Sequence, residues 1–358
     1  MEQEHLVICS GYGAEGTNDI ITVRIFCSGE KQKNGEDFIS EDVKTDILSG
    51  IGQGNCPSFG LVRGNAFYAV EELAGEAYIR KYELCTDGSL SDTGRRLCIP
   101  GGELCHLHAG EKALYASCYG TGDFCAVDFE LEKVLWHRGA QPGQKQPHAH
   151  WASEKDGILY LADLGSDKVY RYRLEGGLPS QELSALELED GAGPRQALPL
   201  EKGTLLTVQE LDSTLRIWKN GECVETVRTT AFDGTNYPGT ICMADENTVL
   251  VCNRGANTVA AFRLETGENR GAGSGAQVQV RLVYLGEWAT GDWPRHLYKV
   301  SGTNLFLNAC NKEGALILFE WTGTELVQRG RIELPGASCA AEVPAEACEG
   351  SIADETME

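Results

Sequence analysis

A ring of seven four-stranded antiparallel sheets, an all-β propeller, is the fold that three features of this chain predict. Short apolar, β-rich runs recur about every 45 residues. Each is followed by a second run with strand alternation, and no segment of useful length has a helical period. Composition agrees: 43 of the 358 residues are Gly and only 11 are Pro, a balance that suits many short strands joined by tight turns.

The repeated runs are VICSGYG (7–13), FYAVEEL (67–73), LYASCYG (114–120), LYLADLG (159–165), LLTVQEL (205–211), VLVCNRG (249–255) and LFLNACN (305–311). Between their second residues (Ile8, Tyr68, Tyr115, Tyr160, Leu206, Leu250 and Phe306) the spacings are 60, 47, 45, 46, 44 and 56. The two long intervals hold insertions, residues 31–44 and the Gly-rich 269–277. Such an interval leaves room for four short strands, the content of one propeller blade. The first unit begins at its second strand, and a spare strand, ASCAAEV (337–343), is left at the other end. That strand is expected to complete blade 1 as its innermost member and so shut the ring. A single propeller over residues 1–343 follows, with 344–358 as an acidic, disordered tail.

The chain carries 53 acidic against 31 basic residues, a formal charge of −22. A surface this acidic repels phosphate backbones, so nucleic acid is not an expected partner. No run approaches the roughly 20 apolar residues of a membrane helix. The start, MEQEHLVICSGYG, has neither a basic segment nor a long apolar core, so a cytoplasmic location and no membrane partner are expected. The 14 cysteines lie mostly inside apolar runs and form no C-x-x-C pair. They read as small buried residues in a reducing compartment.

In a four-stranded blade, the loop into the innermost strand and the turn between strands two and three lie on one face. The loop is often marked by Pro-X, as in Pro57-Ser58, Pro147-His148, Pro194-Arg195, Pro238-Gly239 and Pro294-Arg295. The X residues Ser58, Cys105, His148, Arg195, Gly239 and Arg295 are therefore expected to ring one mouth of the central channel. Four residues after each aligned position a second ring follows: Tyr12, Glu72, Tyr119, Leu164, Glu210, Arg254 and Cys310. Within these rings His148, Arg195, Glu210, Arg254 and Arg295 all fall in blades 4 to 7. Three arginines at equivalent positions beside a Glu and a His describe an anion pocket with titratable company. A charged, water-filled channel mouth is the plainer alternative.

The stretches QPHAH…LYLADLGSDKVYRYRL, AGPRQALPL, LLTVQELDSTLRIW, TVLVCNRGANTVAAFRL and DWPRHLYKV resemble the cytosolic seven-bladed 6-phosphogluconolactonases. That family also holds the fungal carboxymuconate lactonising enzyme. The resemblance runs in order along nearly the whole chain, one short motif per blade. Departures are Gln209 where the family has Asn, and Gln196 where it has His. Neither removes a charged site residue.

The resemblance implies hydrolysis of a six-membered sugar lactone, 6-phospho-D-glucono-1,5-lactone, to 6-phosphogluconate, a step of the pentose phosphate pathway. Water must lose a proton as it attacks the carbonyl carbon, and histidine is the natural base. His148 is the expected base because it holds the ring position. His150, two residues on, is expected to face the same way but deeper, as an orienting partner or wall residue. Glu210 would hold the imidazole or the water, and Arg195 or Arg254 would face the developing oxyanion. Arg295 would clamp the phosphate, with His150 and His106 as further substrate contacts. No cofactor and no metal are expected. His148, His150 and Asp163 offer possible ligands, yet arginines crowd the same place. No G-x-S-x-G elbow is present, which disfavours a serine acyl-enzyme. Two rivals stand beside this reading: a carboxymuconate-type lactonising lyase or cycloisomerase, and a non-enzymatic binding platform. A monomer or weak homodimer is expected.

Overall fold

The computed structural model describes residues 2–14, 16–31, 38–140, 146–269 and 277–349. Among them 28 strands form seven four-stranded antiparallel sheets. Blade 1 contains Glu2–Gly11, Ile20–Lys31 and Phe38–Ile51, with the C-terminal strand Ala337–Glu342 on its inner edge. Each of the other blades takes four consecutive strands. Their innermost strands are Gly60–Arg63 (blade 2), Leu104–Ala109 (blade 3), Ala149–Lys155 (blade 4), Pro194–Pro199 (blade 5), Tyr237–Met243 (blade 6) and Pro294–Lys299 (blade 7).

The ring closes through Ile8↔Ala341, Cys9↔Ala340 and Ser10↔Cys339, as the spare strand implied. The His5 Nδ1 to Glu342 Oε1 contact, at 2.7 Å, adds a side-chain link between the same two strands. The insertions lengthen outer hairpins: Ile20–Lys31 pairs with Phe38–Ile51, and Thr258–Asn269 with Gln277–Ala289. Residues 32–37 and 270–276, the middles of those insertions, lie outside the described residues. Within the stretch expected to be disordered, Ala345–Glu349 form a short helix, and 350–358 lie outside the described residues.

Burial explains why the inner runs lack polar alternation. Strands two and three of a blade are covered on both faces by neighbouring blades, so Thr248–Arg254 and Ala315–Trp321 are buried at every position. The outermost strands have water on one edge and are mostly exposed, as in Glu222–Arg228. Their charged side chains also protect an otherwise open sheet edge. The apolar core is accordingly divided. Seven clusters of buried residues each straddle one pair of neighbouring blades, such as Leu206, Val208, Ile241 and Val251 between blades 5 and 6. The described cysteine side chains are free thiols, many of them inside these clusters. Among the described residues, no helix is long and apolar enough to cross a membrane.

Candidate functional site at the channel mouth

At the mouth end, most innermost strands carry the same defect. In blade 5 Pro194 pairs with Gln209 and Gln196 with Val208, so Arg195 is the extra residue of a β-bulge. Cys105, His150 and Arg295 are the bulged residues of blades 3, 4 and 7 by the same register. In blade 1 the residue is Ser338, on the closing strand. A bulge frees one side chain from the pleat and re-aims it, which is how a regular sheet supplies irregular functional groups.

This register corrects one placement. His150, not His148, is the blade 4 counterpart of Arg195. The proline that marks the loop stands two residues earlier in blade 4 than elsewhere, and Ala149 takes the place of Pro194. Pro suits both the loop before a strand and a strand's first residue, so it does not mark register. The second ring needs a similar correction in blade 7. Cys310 pairs with Pro294 as Gln209 pairs with Pro194, so the counterpart of Glu210 is Asn311.

Three of the expected residues meet directly. Glu210 Oε2 accepts from Arg195 Nη1 at 2.5 Å and lies 2.7 Å from Arg254 Nη2. Burial raises the pKa of the Glu210 carboxyl, but the two guanidiniums outweigh it and hold the value at about 2. Glu210 is therefore a permanent carboxylate. Its expected bond to an imidazole is not formed; the two arginines take that place. Arg254 is also tied to the backbone, donating from Nε to Tyr237 O at 2.8 Å and from Nη2 to Pro238 O at 3.1 Å. Burial, with Arg195 second, pulls its pKa down to about 10, which leaves it charged at neutral pH. Arg195 is freer: it is 4% exposed and its Nε has no partner.

His150 is 4% exposed and its Nδ1 likewise lacks a partner. Burial, then Arg195, Arg295, His106 and Arg254, hold its pKa well below the ordinary 6.5, so the ring is neutral. His148 stands aside in the loop. Its Nδ1 donates to Tyr119 O at 2.8 Å, its backbone N–H donates to Asp163 at 2.8 Å, and its ring stacks on Tyr119 at 4.3 Å. The edge of the His150 ring faces that same Tyr119 at 6.1 Å. Among the described residues, no three His, Cys, Asp or Glu side chains converge on a metal position.

Arg295 lies on the far side of the mouth, 5.1 Å over the ring of Tyr12. Burial opposes its charge, but Tyr12 and Glu72 outweigh that and raise its pKa. Tyr12 Oη donates to Glu72 Oε2 at 2.8 Å, and Ser58 Oγ donates to the same oxygen. A cleft of about 670 Å³ opens beside this group, lined by Tyr12, Gly13, Thr17, Asn18, Gly54 and Cys56 among others.

His106 was expected to touch substrate, and its position argues otherwise. It lies one residue deeper than the bulged Cys105, 2% exposed, with its ring 3.8 Å from Trp151. Its Nδ1 accepts the Ala152 N–H of the next blade at 3.3 Å. The same layer repeats around the channel. Gln196 exchanges two hydrogen bonds with Ile241, Thr240 Oγ1 accepts from Leu297 N, and His296 Nδ1 accepts from Ala340 N. Phe59 fills the middle, with ring centroids 4.6 Å from His106 and 5.6 Å from His296. This belt stitches blade to blade.

Sequence reasoning missed Trp293. Its ring lies 5.7 Å from the Arg254 guanidinium and 3.3 Å from Lys312 Nζ, and its backbone is left-handed at φ 63°. The one available signal was its place directly before Pro294, at the same mouth.

A family model described as "Lactonase, 7-bladed beta-propeller" matches residues 37–339. A 6-phosphogluconolactonase of Bacillus subtilis (strain 168) is 25% identical over 279 residues, 71% of this chain and 76% of that protein. Two solved structures share the fold. A protein from Lactobacillus plantarum has a TM-score of 0.77 at 19% identity, covering 96% of this chain and 100% of that one. A periplasmic gluconolactonase of Pseudomonas aeruginosa has a TM-score of 0.75 at 17% identity, covering 96% and 99%. With seven blades, a bulge-built ring at one mouth and a family match over most of its length, the chain belongs to the seven-bladed β-propeller lactonase family.

Proposed function

We propose that this protein hydrolyses 6-phosphogluconolactone, with His150 as the base and Arg195 at the oxyanion. One observation carries the reading: on adjacent blades, a neutral imidazole and a guanidinium each bury a nitrogen that has no hydrogen-bond partner among the described residues. A buried polar atom without a partner is costly, so both are suited to meeting a ligand. The named relative supports the substrate class.

Water attacks the lactone carbonyl carbon while His150 takes its proton. The carbonyl oxygen becomes an alkoxide facing Arg195, whose charge is fixed in place by Glu210. Collapse of the tetrahedral intermediate breaks the bond to the ring oxygen. The imidazolium returns its proton to that oxygen, so the acid and a free hydroxyl leave and the enzyme is unchanged. Glu210 and Arg254 act as positioning residues, and Arg295 is left to meet the phosphate.

The test is a coupled assay on freshly made 6-phosphogluconolactone, corrected for spontaneous hydrolysis. Arg295→Ala is expected to raise KM about tenfold or more on this substrate, with a much smaller change on unphosphorylated gluconolactone. An equal defect on both lactones would remove the phosphate contact from the reading.

A further inference from the structure

The mouth has two unlike poles. On blades 4 to 6 stand His150, Arg195 and Arg254, with Glu210 consumed by the two arginines. On blades 1 and 2 stands a second carboxylate, Glu72, which among the described residues has no guanidinium in contact, although Arg295 lies over its partner Tyr12. Its Oε2 instead receives two hydroxyls, from Tyr12 and Ser58. Both donors are neutral and fix its direction. Ser58 is fixed in turn: its backbone oxygen accepts from Ser338 Oγ at 2.6 Å. Through Tyr12 the same corner borders the open cleft over blades 1 and 2.

A carboxylate held this way is an acceptor of hydroxyl groups. Charge-assisted bonds to a carboxylate are about twice as strong as neutral ones. We infer that Glu72 is a specificity-determining residue that accepts the hydroxyls of a polyhydroxylated lactone, while its carbonyl lies toward Arg195 and His150. The inference rests on the lactonase reading and deepens it. It separates sugar-acid lactones, rich in hydroxyls, from unsaturated dicarboxylate lactones, which have none. A site built to hydrogen-bond a substrate hydroxyl discriminates strongly against analogues lacking it.

Glu72→Gln keeps the shape and lets Tyr12 and Ser58 still donate, but removes the charge; a thermal melt checks that the variant is folded. Two measurements follow on wild type and variant. The first is hydrolysis of D-glucono-1,5-lactone against δ-valerolactone, which has no hydroxyl. The second is calorimetric binding of D-gluconate against cis,cis-muconate, a dicarboxylate without hydroxyls. In Glu72→Gln, KM for gluconolactone should rise tenfold or more with δ-valerolactone little changed. The preference for gluconate over muconate should fall by a similar factor. Glu72→Asp, which keeps the charge but withdraws it by one methylene, should lie between the two. Parallel loss on both lactones, or an unchanged gluconate-to-muconate ratio, would overturn the role. If wild type hydrolyses neither lactone, the catalytic reading falls, and the binding ratio alone still decides Glu72.

Discussion

Arg195 and Gln196 are neighbours in one strand, as are His150 and Trp151, or Arg295 and His296, yet the two members of each pair belong to different layers. Two of the bulged residues at the mouth keep a polar atom unpaired: Arg195 Nε and His150 Nδ1 have no partner among the described residues. One position deeper, polar side chains are spent on the next blade, Gln196 with both ends on Ile241 and His296 on Ala340. Both layers are buried and both contain histidine, so burial and residue type do not tell a site from a seam. What separates them is whether the hydrogen-bonding capacity is used up inside the protein. His106 illustrates the lesson, since it has the chemistry of a site residue and the bonds of a seam.

The largest expected effect breaks the mouth and spares the belt. His150→Ala should lower kcat by about 10²- to 10⁴-fold, the usual worth of a general base, and leave the melting temperature nearly unchanged. His148→Ala, which loses a loop contact to Tyr119, should cost far less kcat. The acid limb of kcat/KM should lie below pH 6.5, because burial and the arginines keep free His150 neutral there. A larger kcat loss in His148→Ala, or an acid limb at or above 6.5, would transfer the role of base away from His150.

Next in size is a belt variant. Gln196→Ala leaves the Ile241 N–H and C=O without their partners, which should cost about 1–3 kcal/mol of stability. Activity per folded molecule should stay close to wild type, as read by denaturant unfolding beside active-site-normalised rates. A Gln196→Ala enzyme that melts normally but loses kcat would merge the two layers.

The smallest and most gradual effect is on pH stability. Burial holds His296 at a pKa of about 4, and also His108, with the arginines near His296 adding to it. An unfolded histidine binds its proton near 6.5, so between 6.5 and 4 the unfolded chain holds more protons than the folded one. Their contribution is present in full above pH 6.5 and declines as the pH falls toward 4. Melting temperatures measured over that range should fall steadily, and His296→Gln, which has nothing to protonate, should flatten the decline. A flat profile in wild type would show that His296 and His108 titrate normally.

How much of this was legible in the chain varies with the range of the cause. Strand position depends on runs of a few residues, and the seven repeated runs, 44 to 60 residues apart, announced the blades. So did the orphan strand at 337–343, because a ring that starts on strand two must borrow an innermost strand from its other end. The identities of Arg195, Glu210, Arg254 and Arg295 as mouth residues were likewise within reach, since equivalent positions in a repeat share a face. The offset between His148 and His150 was not, because a bulge is set by ladder pairing between two strands and the proline that seemed to mark it tolerates either place.

By itself, then, the sequence determined the number of blades, the way the ring closes and the face on which charge collects, all consequences of local pattern repeated at a fixed period. Only the tertiary structure decided which of those charges are spent. Glu210 is claimed by two arginines arriving from different blades, Arg254 by the carbonyls of Tyr237 and Pro238, and His106 by an N–H on the neighbouring blade. Those partners lie from 15 to 46 residues away along the chain, and only packing brings them within hydrogen-bond distance. Pairing is a property of distance and direction in space, to which a list of residue types is blind.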